Sequence, residues 1–339
     1  MNEQGQALAG GVRHAGLLYR DVDGFAAAAG HFVDAGVRAG EAVFVAAAGS
    51  ALGLLRARQG ARGSGVAWAD LSLIGANPRR VMALMREFAE AHRGQPVRFA
   101  RQAGWLSRPP GELHEAMRYE PLFDLAKGPV QVLCGYDVRL GGQVTGCAER
   151  AHPMLVRNGA WQANRLYAGR ETLPGECDQP LPSPPATAAV LGFRDELAAV
   201  RQVVADQARL AGLGPQRVGD LVLAVSELAA NTLAHAGGPG TLTVWCTQDE
   251  IICQVHDSGH VSDPLAGSLR PAPDTALQHG FGIWLVNQVC DLVETRTAPG
   301  GTTTRLHMRL DSAQSRRPGP VPAGSGGGHP GSLDPAGGA

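Results

Sequence analysis

Five prolines between Pro174 and Pro185 interrupt the chain near its middle, and they constrain its folding more than any other feature. Proline fixes φ and has no N–H to donate, so Glu171 to Thr187 reads as a stiff, extended linker and not as core. From Ser312 onward the chain is mostly Gly, Pro and Ser with almost no apolar side chain to bury, so disorder is expected there. The 339 residues thus divide into two packed units, expected at 12–170 and 191–311, joined by a linker at 171–190 and followed by a tail at 312–339. No internal repeat is visible.

The first unit alternates helical and strand patterns. Helices are expected at Val22–Ala39, Ala51–Gln59, Pro78–His92 and Pro110–Leu125, and strands at Ala42–Ala47, Val66–Ala69, Val97–Gln102 and Val130–Tyr136. Such alternation predicts an α/β fold with a mostly parallel sheet covered by helices.

The second unit carries the chemistry. In Asp220-Leu-Val-Leu-Ala-Val-Ser-Glu-Leu-Ala-Ala-Asn231, helical spacing puts Leu221, Val225, Leu228 and Ala229 on one side. Asp220, Ala224, Glu227 and Asn231 fall on nearly the opposite side. A carboxylate and an amide one turn apart suit phosphoryl transfer, which asks a protein to position a nucleophile and to neutralise charge. Downstream come Gly237-Gly-Pro-Gly240, the strand runs Thr241–Cys246 and Ile251–Asp257, and the sequence Asp257-Ser-Gly259. A polar loop from Val261 to Gln278, suited to a lid, closes on His279-Gly-Phe-Gly282 and opens into a helix from Ile283 to Asp291. Glycines before a helix N-terminus expose N–H groups to an anion. A last strand, Gly301–Leu310, puts Leu306, Met308 and Leu310 on one face.

The order Glu227…Asn231, Asp257-x-Gly259, Gly280-x-Gly282 and Gly301-Thr302, spread over residues 192 to 310, resembles the ATP-binding domain of the gyrase, heat-shock chaperone, histidine kinase and MutL superfamily. Within it, the Glu-x-x-x-Asn spacing is similar to that of the anti-sigma-factor serine kinases. The resemblance implies a two-layer α/β sandwich that binds ATP and Mg²⁺. It implies Asn231 on the metal, Asp257 on the adenine amino group, Gly259 beside it, Gly280 and Gly282 along the phosphates, Thr302 supporting the adenine end, and Glu227 as general base. A second glycine often found in the family is here His260, which narrows the expected pocket mouth. On the helix expected at Phe193–Ala211, Arg201 stands where the resembling kinases grip protein partners. In the first unit, His14-Ala-Gly-Leu-Leu-Tyr19, Ala39-Gly-Glu-Ala-Val-Phe-Val45, Cys134-Gly-Tyr-Asp137 and Ala151-His-Pro153 resemble the MEDS sensory domain, over roughly residues 12 to 168.

Composition narrows the alternatives. Lys127 is the only lysine, no Gly-x-x-x-x-Gly-Lys-Ser/Thr occurs, and no strand lysine of the eukaryotic kinase type is present. A net charge of −1 argues against direct nucleic-acid binding by charge. Neither a leader pattern nor a membrane-length apolar run is seen, so a cytoplasmic protein is expected, with its six scattered cysteines reduced. The spacing of Cys134, Cys147 and His152 matches no standard zinc pattern. His14 and His152 read as satisfied structural histidines, with the lining of a sensory pocket as the alternative, and Tyr19 and Tyr136 read as core.

The function expected is an anti-sigma regulatory factor that uses Mg²⁺-ATP to phosphorylate Ser or Thr of an antagonist protein. Its partners would be that antagonist and a sigma factor, with a homodimer left open. A sensor histidine kinase would need a phosphoacceptor histidine before the ATPase, yet none lies between His152 and His235. A nucleotide-dependent binding switch without turnover stays open because of His260.

Overall fold

The computed structural model describes residues 11–125, 128–169, 180–195, 197–261, 263, 266–268 and 281–310. The N-terminal unit is built on a seven-stranded sheet of β1 (Arg13–Tyr19), β2 (Ala42–Ala47), β3 (Val66–Asp70), β4 (Val97–Gly104), β5 (Val130–Asp137), β6 (Met154–Arg157) and β7 (Ala160–Ala163), in the order β3-β2-β4-β5-β1-β6-β7. All neighbours run parallel except the β6–β7 hairpin.

Helices cover both faces. On one, α1 (Val22–Arg38) and α2 (Gly49–Gln59) bury Phe25, Val33, Leu52 and Leu55 against Leu17, Val45 and Leu133. The short α3 (Leu71–Ile74) leads to the other face, where α4 (Pro78–Ala91) and α5 (Pro110–Tyr119) pack against Phe44, Phe99, Val132 and Cys134. The last helix of this unit, α6 (Gly142–Ala151), precedes β6. Local signals set the helix starts: Asp21 caps α1 by accepting from Gly24 N at 2.7 Å, and Asn77 caps α4 ahead of Pro78.

Strand β1 has no counterpart among the elements expected from sequence, which begin at Val22. It is a central strand buried on both faces, so it shows no polar alternation. The helix expected to reach Leu125 stops at Tyr119 and tightens into a 3₁₀ turn over Glu120–Leu125, because Pro121 cannot supply the next helical N–H.

The C-terminal unit is a five-stranded antiparallel sheet, ordered β11-β12-β10-β9-β8, from β8 (Ala189–Phe193), β9 (Gly240–Cys246), β10 (Glu250–Asp257), β11 (Leu292–Ala298) and β12 (Gly301–Arg309). Helices α7 (Leu197–Leu210), α8 (Pro215–Asn231) and α9 (Phe281–Val289) cover one face, where Val204, Leu221, Val225 and Val286 meet Leu242, Ile251, Cys253 and Leu306. The fold is therefore a two-layer α/β sandwich beside a mostly parallel α/β unit, as the sequence implies.

Two local expectations change. Phe193 belongs to β8 and not to the following helix: its ring fills the space a side chain at Gly240 would need, a tertiary constraint invisible in local pattern. Ala224 lies in the core instead of on the Glu227 face, because α8 packs between two neighbouring helices and buries more than one stripe.

The open face of this sheet carries Arg305, His307 and Arg309 on β12 and Glu294 and Arg296 on β11. It meets the first unit through α5: Arg296 pairs with Glu115 at 2.6 Å, and Arg309 pairs with Glu112. The start of α4 grips α9, with Asn77 Nδ2 donating to Asn287 O at 3.2 Å and Arg80 donating to Gln288 O at 2.6 Å and Cys290 O at 2.9 Å.

Candidate functional site

Strand β10 ends by delivering Asp257 to the edge of the helical layer, and both carboxylate oxygens are engaged there. Oδ1 accepts from Gly259 N at 2.8 Å, and Oδ2 lies 2.6 Å from the donating Thr232 hydroxyl. Each carboxylate oxygen has two lone pairs, so Asp257 keeps capacity for a further donor. Thr302, paired with Asp257 across β10 and β12, is buried and donates to Gly259 O at 2.9 Å. The turn tolerates little bulk: a Cβ at Gly259 would stand 2.9 Å from Asp257 Oδ1, and one at Gly301, where φ is +121°, would collide with Asp257 O.

Thr232 ties this end to the helix. It directly follows Asn231, the last residue of α8, in a π-turn over Thr232–Ala236. π-Turns inside helices break the regular backbone ladder, and here the break aims a hydroxyl at Asp257. One turn earlier, Glu227 is half-buried, and its carboxylate lies where a side chain at Gly282 would have to go. Gly282 sits in the first turn of α9, whose unpaired N–H groups and dipole favour negative charge.

The structure thus brings Asp257, Gly259 and Thr302 together at one end, and Glu227 with Gly282 at the other, with Asn231 next to the Thr232 link. Gly280 and most of the loop expected as a lid lie outside the described residues. His260 is exposed. Arg201 stands apart on the exposed side of α7, where its Nε donates to Ser226 Oγ on α8 at 3.2 Å. Thr232 holds the Asp257 carboxylate, and the sequence pattern does not mark it. Its position after Asn231 is the available signal, but only the π-turn shows where its hydroxyl points.

A second polar cluster lies inside the N-terminal unit. His14, Glu120, Cys134 and His152 are all buried, and their ligand-type atoms lie within 4.8 Å of one another. No sequence motif singles out Glu120, although its place between the end of α5 and Pro121 marks a helix end. Burial pushes its carboxyl pKa up, but the Arg101 charge, with His14 and His152 beside it, outweighs this and holds it well below the usual range. Burial, with Glu120 adding to it, raises the Cys134 thiol to about 11. Tyr19 and Tyr136 are core residues, as expected.

Comparison with known families accounts for both units. Residues 194–308 match the histidine kinase-like ATPase domain. Residues 13–153 match MEDS, the methanogen/methylotroph DcmR sensory domain. The family models thus find a MEDS domain at the N-terminus and a histidine-kinase-like ATPase domain at the C-terminus. No curated protein matches the chain. Among the described residues, no helix is long and apolar enough to cross a membrane.

Proposed function

We propose that the chain is a cytoplasmic anti-sigma regulatory factor that binds Mg²⁺-ATP and phosphorylates Ser or Thr of an antagonist protein under the control of its sensory domain. The observation that carries this reading is the placement of Glu227 and Asn231 one turn apart on α8, with the Glu227 carboxylate against Gly282 at the start of α9.

The residues present fit the nucleotide. Asp257 has a spare acceptor for an adenine amino group, Gly259 and Thr302 shape the adenine end, and the start of α9 offers backbone donors beside Gly282. Asn231 supplies an uncharged oxygen for Mg²⁺, which neutralises phosphate charge when bound. Glu227 is close enough to the same helix start to hold the attacking hydroxyl and accept its proton.

Control by the sensory domain has a route through the hydrogen bonds of Asn77 and Arg80, at the start of α4, to Asn287, Gln288 and Cys290 at the far end of α9, the helix whose first turn holds Gly282. Arg201 is proposed as a partner contact, because its Nε is held by Ser226 while the side chain stays exposed, leaving the outer nitrogens for a carboxylate of the sigma factor or antagonist.

The test is transfer of label from γ-labelled ATP to antagonist proteins, scored for phosphoserine and phosphothreonine. Transfer that disappears in Glu227→Ala supports the reading. Nucleotide binding with no transfer to any antagonist would make the protein a binding switch, and transfer to histidine would make it a histidine kinase.

A further inference from the structure

Four segments of the N-terminal unit deliver four metal-binding side chains to one buried point. Strand β1 supplies His14 and, two residues on, Gly16, on the face that α4 and α5 cover. Strand β5 supplies Cys134 directly beside Gly16. The turn after α6 supplies His152, whose ring occupies the room left by Gly16: a Cβ there would stand 3.1 Å from the imidazole. The 3₁₀ turn after α5 supplies Glu120.

We propose that His14, Glu120, Cys134 and His152 bind one divalent transition-metal ion of the zinc type. Metal–ligand distances of about 2.0–2.3 Å in a tetrahedral site put neighbouring ligand atoms roughly 3.3–3.7 Å apart. Glu120 Oε1 lies 3.4 Å from His14 Nε2 and 3.2 Å from His152 Nε2, and His14 Nε2 lies 3.4 Å from Cys134 Sγ. Two imidazoles, a carboxylate and a thiol form a mixed nitrogen, oxygen and sulfur set that suits a borderline-soft cation over Mg²⁺ or Ca²⁺.

Donor and acceptor roles point the same way. His152 Nδ1 lies 2.6 Å from Ala148 O, and a carbonyl oxygen only accepts, so this nitrogen carries the ring proton. In a neutral ring the Nε2 lone pair then faces the Glu120 oxygen, so that two acceptors lie 3.2 Å apart. A cation at the centre of the cluster resolves that opposition.

The surroundings are those of a supported metal site. The Nδ1–H to carbonyl bond fixes the orientation of His152, and Arg101 Nη1 holds the other Glu120 oxygen at 2.9 Å. Arg101 is itself buried and stacked on Phe123, 4.5 Å from the ring centre. The proposal concerns the sensory domain and stands independently of nucleotide chemistry in the other unit.

The experiment uses the full chain, free of any affinity tag, stripped with a chelator and titrated with Co²⁺ in the absence of nucleotide. One equivalent should bind, with intense tetrahedral d–d absorption and a thiolate-to-cobalt charge-transfer band, and Zn²⁺ but not Mg²⁺ should displace it. Cys134→Ser should abolish the charge-transfer band, and both it and His152→Gln should weaken binding at least tenfold. If either variant fails to fold, X-ray absorption on the wild-type cobalt protein decides by counting one sulfur and three nitrogen or oxygen neighbours. A folded wild-type chain that takes up no stoichiometric Co²⁺, that binds it without a thiolate, or that binds it equally well after both substitutions overturns the proposal.

Discussion

The carboxylate of Glu227 occupies the space beside Gly282 that any larger residue there would fill. The two are 55 positions apart in the chain, yet this contact sets the helix bearing the candidate base against the helix whose start faces the candidate phosphate site. Gly282→Ala should therefore displace the carboxylate and lower phosphotransfer by about tenfold or more, the cost of a misplaced catalytic group. Glu227→Ala should lower it roughly a hundredfold or more while ATP affinity stays within a few fold. Calorimetric titration beside a transfer assay separates the two effects.

A pH dependence follows from the open face of the C-terminal sheet. Burial of His307 pulls its pKa down, but hydrogen bonds and charge from Glu250 and Glu294 outweigh that and raise it to about 9 from the ordinary 6.5. A raised histidine stabilises the fold fully below its unfolded pKa and loses that contribution as pH rises through the folded value. Urea midpoints should fall between about pH 7 and pH 9, by on the order of 2–3 kcal/mol of stability, and His307→Gln should flatten this slope. The lowered Glu294 is the same interaction seen from its partner and is counted once.

The domain contact should be measurable in stability. Glu115 is fully buried and faces Arg118 at 3.2 Å and Arg296 at 2.6 Å. Removing one partner of a buried pair leaves charge uncompensated, so Glu115→Ala should cost roughly 3–5 kcal/mol. Denaturant unfolding followed in both domains checks this, and an unchanged midpoint would mean that the contact holds nothing together.

Much of this architecture is legible in the amino-acid sequence. The hydrophobic runs at Ala42–Ala47 and Val130–Asp137 are strands because both faces are buried, and the ordered glycines and carboxylates of the second unit mark its edge. What the sequence hides is tertiary in origin. Strand β11, which has no counterpart among the elements expected from sequence, carries Glu294 and Arg296 on its outer face, and only the fold brings Glu115 of α5 opposite. The buried quartet is hidden for a similar reason: His14, Glu120, Cys134 and His152 come from four separate elements, and no local spacing announces their meeting.

In the proposed function, Asp257 reads the adenine amino group in a pocket completed by Gly259, Thr302 and the Thr232 hydroxyl. The most direct test is calorimetric titration of the full chain and of Asp257→Asn with Mg²⁺-ATP and with Mg²⁺-GTP. The wild type should bind ATP in preference to GTP. The substitution swaps a carboxylate acceptor for an amide, and it should weaken ATP by about tenfold or more while changing GTP little. Equal weakening of both nucleotides, or a wild-type chain with no preference for ATP, would contradict an adenine-reading role for Asp257.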